Sequence, residues 1–255
     1  MSLLWPDTVS VGLFPGESWL RRGRTTVATA RTVDALATPE DLLVALQTLL
    51  AEQGKQLRQR DRVNLVVSDS VGVLVALPWQ EQLIAVDELQ AYGFACFEQR
   101  GVAIDHNWVM QTGFRQYSVA GIAYAIPRDW LQELMLLLET RGLRLGSVLP
   151  VSAAAFWQHR PPKAGRAVLL QSEMRRVTSL VYQSGRFIGI DVEPVITDRA
   201  SAGKRLLKRL AAAQGDIGSV GYWQVAPSDD DGSNKFISAC LPDTVVHLLK
   251  RDIWS

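Results

Sequence analysis

The chain has 255 residues, room for one large domain or two of about 100–150 residues each, and 47% of them are hydrophobic, enough to fill buried cores without staples. With 27 Lys and Arg against 26 Asp and Glu the net charge is only +1, which gives no field for holding a phosphate backbone and excludes nucleic acid as the expected partner. No apolar run reaches the roughly 18 residues that span a bilayer, no leader is read, and Cys96 and Cys240 read as reduced thiols, so a cytoplasmic protein is expected.

Residues 9–14 alternate toward Pro15-Gly16, and 18–24 and 25–33 continue as β-rich runs, which predicts a three-stranded meander. Thr38-Pro39-Glu40-Asp41 supplies a capping threonine, a proline at the first helical position and acids in the first turn. Leu42, Leu43, Leu46, Leu49 and Leu50 then recur at helical spacing up to Gly54. RVNLVVS (62–68) reads as a buried strand. The next stretch differs in texture: VLVALPW (73–79), a helical pattern over 86–100, then strand-like NWVMQTGF (107–114) and GIAYAIP (121–127). It predicts a small α+β insertion at about 71–118.

Residues 129–140 form an amphipathic helical pattern, 143–149 a strand and 151–159 a short helix that stops at Arg160-Pro161-Pro162-Lys163-Ala164-Gly165, the clearest boundary in the chain. Beyond it the spacing predicts strands at 166–172, 177–183 and 186–192, a helix at 200–213, strands near 218–225 and 235–240, and a last helix from Asp243. Three strands, a helix, a strand and a helix thus stand on each side of a linker. That order predicts two related α/β lobes, 1–160 with its insertion and 161–255, although no self-similarity is visible in the residues themselves.

Isolated motifs have plain readings. His106, His159 and His247 are scattered without ligand spacing, so no metal is expected. Gly203-Lys204-Arg205 lacks the earlier glycine and following Ser or Thr of a phosphate loop. The acids of 229–234 read as a solvated hairpin tip rather than a calcium loop. No nucleophile elbow is present, and Cys96 sits on a helical pattern with no histidine nearby. Lys204, Arg205, Lys208 and Arg209, opposite Leu206, Leu207 and Leu210, read as a solvated helix face, with contact to an anionic leaflet or acidic partner as the functional alternative. Arg21, Arg22 and Arg24 read similarly. The eight tryptophans serve either packing or one anchor surface.

Across residues 60–190 the order is a strand, VLVALPW, DELQAYGFACFEQRG, AYAIPRDWLQELMLLLETRGLRLGSVLPVSAAA and the hairpin LLQSEMRRVTSLVYQSGRF. This succession resembles the actin-like platform proteins of type IV pili and type II secretion, the PilM and GspL group, in a short and degenerate form. The resemblance implies an actin-like, ribonuclease H-like duplicated, two-lobed α/β fold with a small insertion in the first lobe. It also implies ATP between the lobes, held by two glycine-bearing hairpins and a third loop near the adenosine.

The residues depart from that pattern at every loop. In the first hairpin, SVGLFPGES, the expected Asp and Gly are replaced by Gly12 and Phe14, and a phenylalanine there would fill the phosphate space. In the second, the expected Asp falls at Gln171 or Ser172 and the expected Gly at Glu173 or Met174, with Arg175 and Arg176 crowning the turn. Only Thr178 matches. In GYWQVAPSDDDG, Gly221 is followed by Tyr222 and Trp223 where paired glycines are expected.

The expectation is therefore a non-catalytic scaffold without cofactor. It would dock the cytoplasmic tail of a bitopic inner-membrane protein, and a motor ATPase, and so lie peripheral to the membrane. The alternatives are an ATP-binding protein with divergent loops and an unrelated soluble enzyme. The docking residues implied are Trp79, Trp108 and Phe114, on strands that a peptide could extend; the plain reading is that these aromatics fill the insertion's core. The chain is shorter at its C-terminus than pilus members and lacks the span of the secretion members.

Overall fold

The structure, a computed structural model, describes residues 8–23, 25–30, 37–53, 57–83, 85–224 and 245–248. In chain order the elements are β1 (Thr8–Leu13), β2 (Ser18–Arg22), β3 (Thr25–Ala30), α1 (Pro39–Gln53), β4 (Arg62–Val67), β5 (Val73–Leu77) and α2 (Val86–Gln99). Next come β6 (Trp108–Gly113), β7 (Gly121–Pro127), α3 (Arg128–Glu139), β8 (Arg144–Pro150), α4 (Val151–Gln158), β9 (Arg166–Ser172), β10 (Arg176–Gln183), β11 (Arg186–Pro194), α5 (Arg199–Gln214), β12 (Ser219–Gln224) and β13 (Val245–Leu248).

Two five-stranded sheets share one strand order. The first runs β3-β2-β1-β4-β8 and the second β11-β10-β9-β12-β13, each with an antiparallel meander followed by two parallel strands. The central strands are buried on both faces, as parallel pairing requires. Over the first sheet lies α1, started by a reciprocal cap in which Thr38 N–H donates to the Asp41 carboxylate (2.7 Å) and Asp41 N–H to Thr38 Oγ1 (3.4 Å). Leu42, Leu46, Leu49 and Leu50 of α1 meet Trp130, Leu134 and Leu138 of α3 and the sheet's valines in one core. Each such leucine contributes about 1.5–3 kcal/mol.

On the second sheet α5, capped by Asp198 accepting from Ser201 N–H at 2.7 Å, buries Leu206, Leu207 and Leu210. Two residues of its basic face are committed: Arg205 and Arg209 each reach Glu193 at 2.6 Å, and Arg209 reaches Asp191 at 2.9 Å. Both arginines stay partly exposed, and among the described residues Lys204 and Lys208 are exposed without such partners.

A third sheet, β5-β7-β6, carries α2 on it. Because β7 pairs with both neighbours, Val73 opposite Ala125 and Val109 opposite Ile126, the inserted sheet extends to Pro127, past the expected limit of 118. The expected last helix from Asp243 is corrected: Val245–Leu248 is β13, parallel to β12, where its paired valines suit a strand. The strand expected at 235–240, the 229–234 tip, Arg24 and Cys240 lie outside the described residues. Between the sheets lies α4, whose Ala153, Ala154 and Ala155 are buried; their small size lets it approach both.

Candidate functional site between the two sheets

The turn after β4, the start of α4 and the β9–β10 hairpin converge on one buried polar cluster. Asp69 is 1% exposed; its Oδ1 accepts the Ser152 N–H at 3.0 Å, and its Oδ2 receives the Ser152 hydroxyl and, at 3.3 Å, the Thr178 hydroxyl. Ser152 Oγ also lies 2.8 Å from Gln171 Oε1. From the hairpin, Glu173 Oε2 accepts the Asp69 N–H at 3.3 Å, and Arg176 Nη1 donates to the Asp69 carbonyl at 3.0 Å. Ser68 Oγ accepts from Ser70 N–H at 3.1 Å and so fixes the turn that presents Asp69.

Two carboxyls this deep do not ionise freely. Burial, and then the neighbouring Asp69, push Glu173 up to about 8 against the partial opposition of Arg176. Burial likewise raises Asp69, against its bonds to Ser152, the charge of Arg176 and its bond to Thr178. Gln171 Nε2, Ser172 Oγ and Glu173 Oε1 are buried without a hydrogen-bond partner among the described residues.

Beside this cluster the expected phosphate loops meet each other. Phe14, 2% exposed, packs with Trp19, Val151 and Trp223. Gly12 lies under the Trp19 indole, where a Cβ would collide with the ring. Gly16, at φ +92°, lies at the first hairpin's tip; a Cβ there would be 3.0 Å from Met174 Sδ of the second hairpin. The third loop contributes Trp223, in register with Gln171 across β9 and β12. Gly12, Phe14, Gln171, Ser172, Glu173, Met174 and Thr178 are thus all at this junction. Asp69 and Ser152 were not singled out from the sequence. Their signals are weak: an acid directly after an apolar strand, and a serine opening an alanine-rich helix.

The three aromatics named for docking do not form one patch. Trp79 and Phe114 meet edge to face at 5.2 Å, and Trp79 meets the exposed Tyr117 at 5.0 Å. Trp108 stands at the other end of β6, opposite Pro127 and roughly 20 Å along the strand at about 3.3 Å per residue. There it packs on the core beneath α2, as Phe114 does at its own end.

No protein-family profile and no curated protein matches the chain. Solved structures do. A Bacteroides thetaiotaomicron protein of actin-like ATPase fold and unknown function superposes with a TM-score of 0.65 at 9% identity, over 95% of this chain and 90% of its own. The PilM-PilN type IV pilus biogenesis complex gives 0.65 at 13% identity, over 96% and 88%. The cytoplasmic domain of EpsL, an inner-membrane component of the Vibrio cholerae type II secretion system, gives 0.54 at 13%, over 87% and 84%. The chain has the actin-like fold, and its structural neighbours include the pilus and secretion proteins that its sequence resembles.

Proposed function

We propose that this protein is a non-catalytic scaffold of an inner-membrane assembly platform of the type IV pilus or type II secretion kind, with 1–160 and 161–255 as its two lobes. The observation that carries this reading is Phe14: a side chain 2% exposed and packed on Trp223 and Val151, in the hairpin that the sequence resemblance assigns to phosphate. The Met174–Gly16 approach and buried Glu173 act in the same direction, since both side chains occupy hairpin positions where glycine would leave backbone N–H groups open to phosphate. No cofactor is needed to hold the two sheets together, because Asp69, Ser152, Gln171 and Arg176 already bind across the junction.

Such a scaffold works by holding partners. The likeness to a PilM-PilN complex supports the cytoplasmic tail of a bitopic membrane protein as the first; a motor ATPase is the second partner of this reading, carried by the sequence resemblance alone. Among the described residues no helix is long and apolar enough to cross a membrane, so in this reading the tail supplies the attachment. Strand β6 is an edge of the inserted sheet, while the opposite edge, β5, lies beside β11. A peptide strand added at β6 would gain main-chain hydrogen bonds and place a side chain against Trp79, Phe114 and Tyr117.

Calorimetry with ATP, with and without Mg²⁺, tests the first half: no binding tighter than about 1 mM is expected. Micromolar binding would establish the alternative, an ATP-binding protein with divergent loops. Co-purification with a membrane partner from the native host tests the second half.

A further inference from the structure

A separate concavity of about 510 Å³ lies where the β6–β7 connection, the end of α4, the linker and the β10–β11 turn meet. Four cations line it, Arg115, Arg160, Lys163 and Arg186, and no carboxylate does. In a chain of net charge +1 this is a local excess, and none of the four is ion-paired among the described residues.

The two arginines that matter most are already positioned. Arg115 Nη1 donates to the carbonyls of Phe156 (2.9 Å) and His159 (2.6 Å), which closes the C-terminal end of α4 and fixes the guanidinium there. Arg186 Nη2 donates to the Ser118 carbonyl (2.6 Å) and hydroxyl (2.9 Å). Each keeps further N–H groups for a ligand. Arg186 owes its place to a two-residue turn, Ser184 at φ 50° and Gly185 at φ 76°, that sets it opposite Gln183. The floor is Tyr182, 1% exposed, whose ring meets Phe187 at 5.7 Å and His159 at 5.6 Å. Its hydroxyl, buried, has no hydrogen-bond partner among the described residues. A buried hydroxyl in that condition calls for an acceptor, and Tyr182 lines the cavity from which one can be supplied.

We propose that this cavity binds a small organic phosphate, its phosphoryl group held by Arg115, Arg186 and the Tyr182 hydroxyl and its apolar body against Val119, Ala120 and Phe187. The charged groups are all donors, which suits a dianionic oxyanion, and guanidinium forks match phosphate oxygens in pairs. The volume exceeds what an inorganic ion fills and lies within the roughly 300–1,000 Å³ of small-molecule sites. Burial raises the Tyr182 phenol, so it stays a donor at any physiological pH. A bound ligand would tie the inserted sheet to the second sheet, because Arg115 lies on the β6–β7 connection of one and Arg186 starts β11 of the other.

Titration of the full chain with phenyl phosphate, inorganic phosphate and phenol at low salt tests this. Phenyl phosphate is expected to bind more tightly than inorganic phosphate, phenol not at all, and added salt to weaken the binding. Tyr182→Phe removes only an unpaired oxygen and Arg186→Gln an exposed charge, so both should fold; each is expected to weaken phenyl phosphate by about ten-fold or more. Arg115 is a poorer choice because it closes α4. The proposal is overturned if phenyl phosphate gives no heat at about 10 mM, if phenol binds as well, or if both variants bind like the wild type. Association with phosphatidic acid vesicles in the absence of phenyl phosphate binding would overturn it in favour of a lipid headgroup.

Discussion

Ser152, in the first turn of α4, and Asp69, in the turn after β4, are joined twice: the Ser152 N–H donates to Oδ1 at 3.0 Å and its hydroxyl lies against Oδ2. The same hydroxyl lies 2.8 Å from Gln171 Oε1. A serine has one hydroxyl hydrogen and cannot donate to two acceptors, so the set closes in one of two ways: a proton on Asp69, the direction in which burial moves it, or a Gln171 amide turned so that its otherwise unpartnered Nε2 donates to Ser152.

Asp69→Asn keeps the shape of a neutral acid and supplies the missing donor, so its stability to denaturant should stay near that of the wild type. Asp69→Ala and Ser152→Ala each leave a buried group unpaired and should cost about 1–3 kcal/mol. Equal losses for Asn and Ala at position 69 would show that Asp69 is charged.

Glu173 predicts a pH dependence of definite sign. Its folded value, about 8, lies above its ordinary 4.5, so the folded state binds the proton more tightly. The stability it lends is fully present below 4.5 and is lost as pH rises through about 8; Asp69 acts with the same sign. Melting temperatures measured from acid to mildly alkaline pH should fall across that window. Glu173→Gln should flatten the fall and melt higher than the wild type at its alkaline end.

Phe14 separates a filled cleft from an open one. If it is packing, Phe14→Ala should cost about 3–5 kcal/mol, because the cavity left among Trp19, Val151 and Trp223 collapses only in part. The same variant should gain no ATP affinity by calorimetry, since Glu173 and Met174 still stand in the second hairpin. A variant of unchanged stability would mean that Phe14 borders free space.

Trp79 and Trp108 should behave differently. Trp108→Ala removes an aromatic from the core under α2 and is expected to lower the melting temperature. Trp79→Ala, whose ring meets only Phe114 and the exposed Tyr117 among described aromatics, should leave the circular dichroism near wild type while co-purification with the proposed membrane partner is lost. Retained binding by a folded Trp79→Ala would move the docking surface elsewhere.

The sequence by itself determined the elements and their order, because hydrophobic period, caps and turn residues are local. The Thr38 cap, the leucine stripe of α1 and the meander 166–192 were all legible that way, and the replaced residues Gly12, Phe14 and Glu173 could be read against a known pattern. Where the period is short the sequence misleads: the Val245–Leu248 stretch, read as helix, is a strand because β12 offers it a parallel partner. Tertiary structure alone decided which side chains meet. Asp69 lies 83 residues from Ser152 and 104 from Glu173, and their shared desolvation exists only once the sheets close on α4. The separation of Trp108 from Trp79, and the convergence of Arg115, Arg186 and Tyr182 on one cavity, likewise depend on strand register and a two-residue turn, which no local pattern in the chain records.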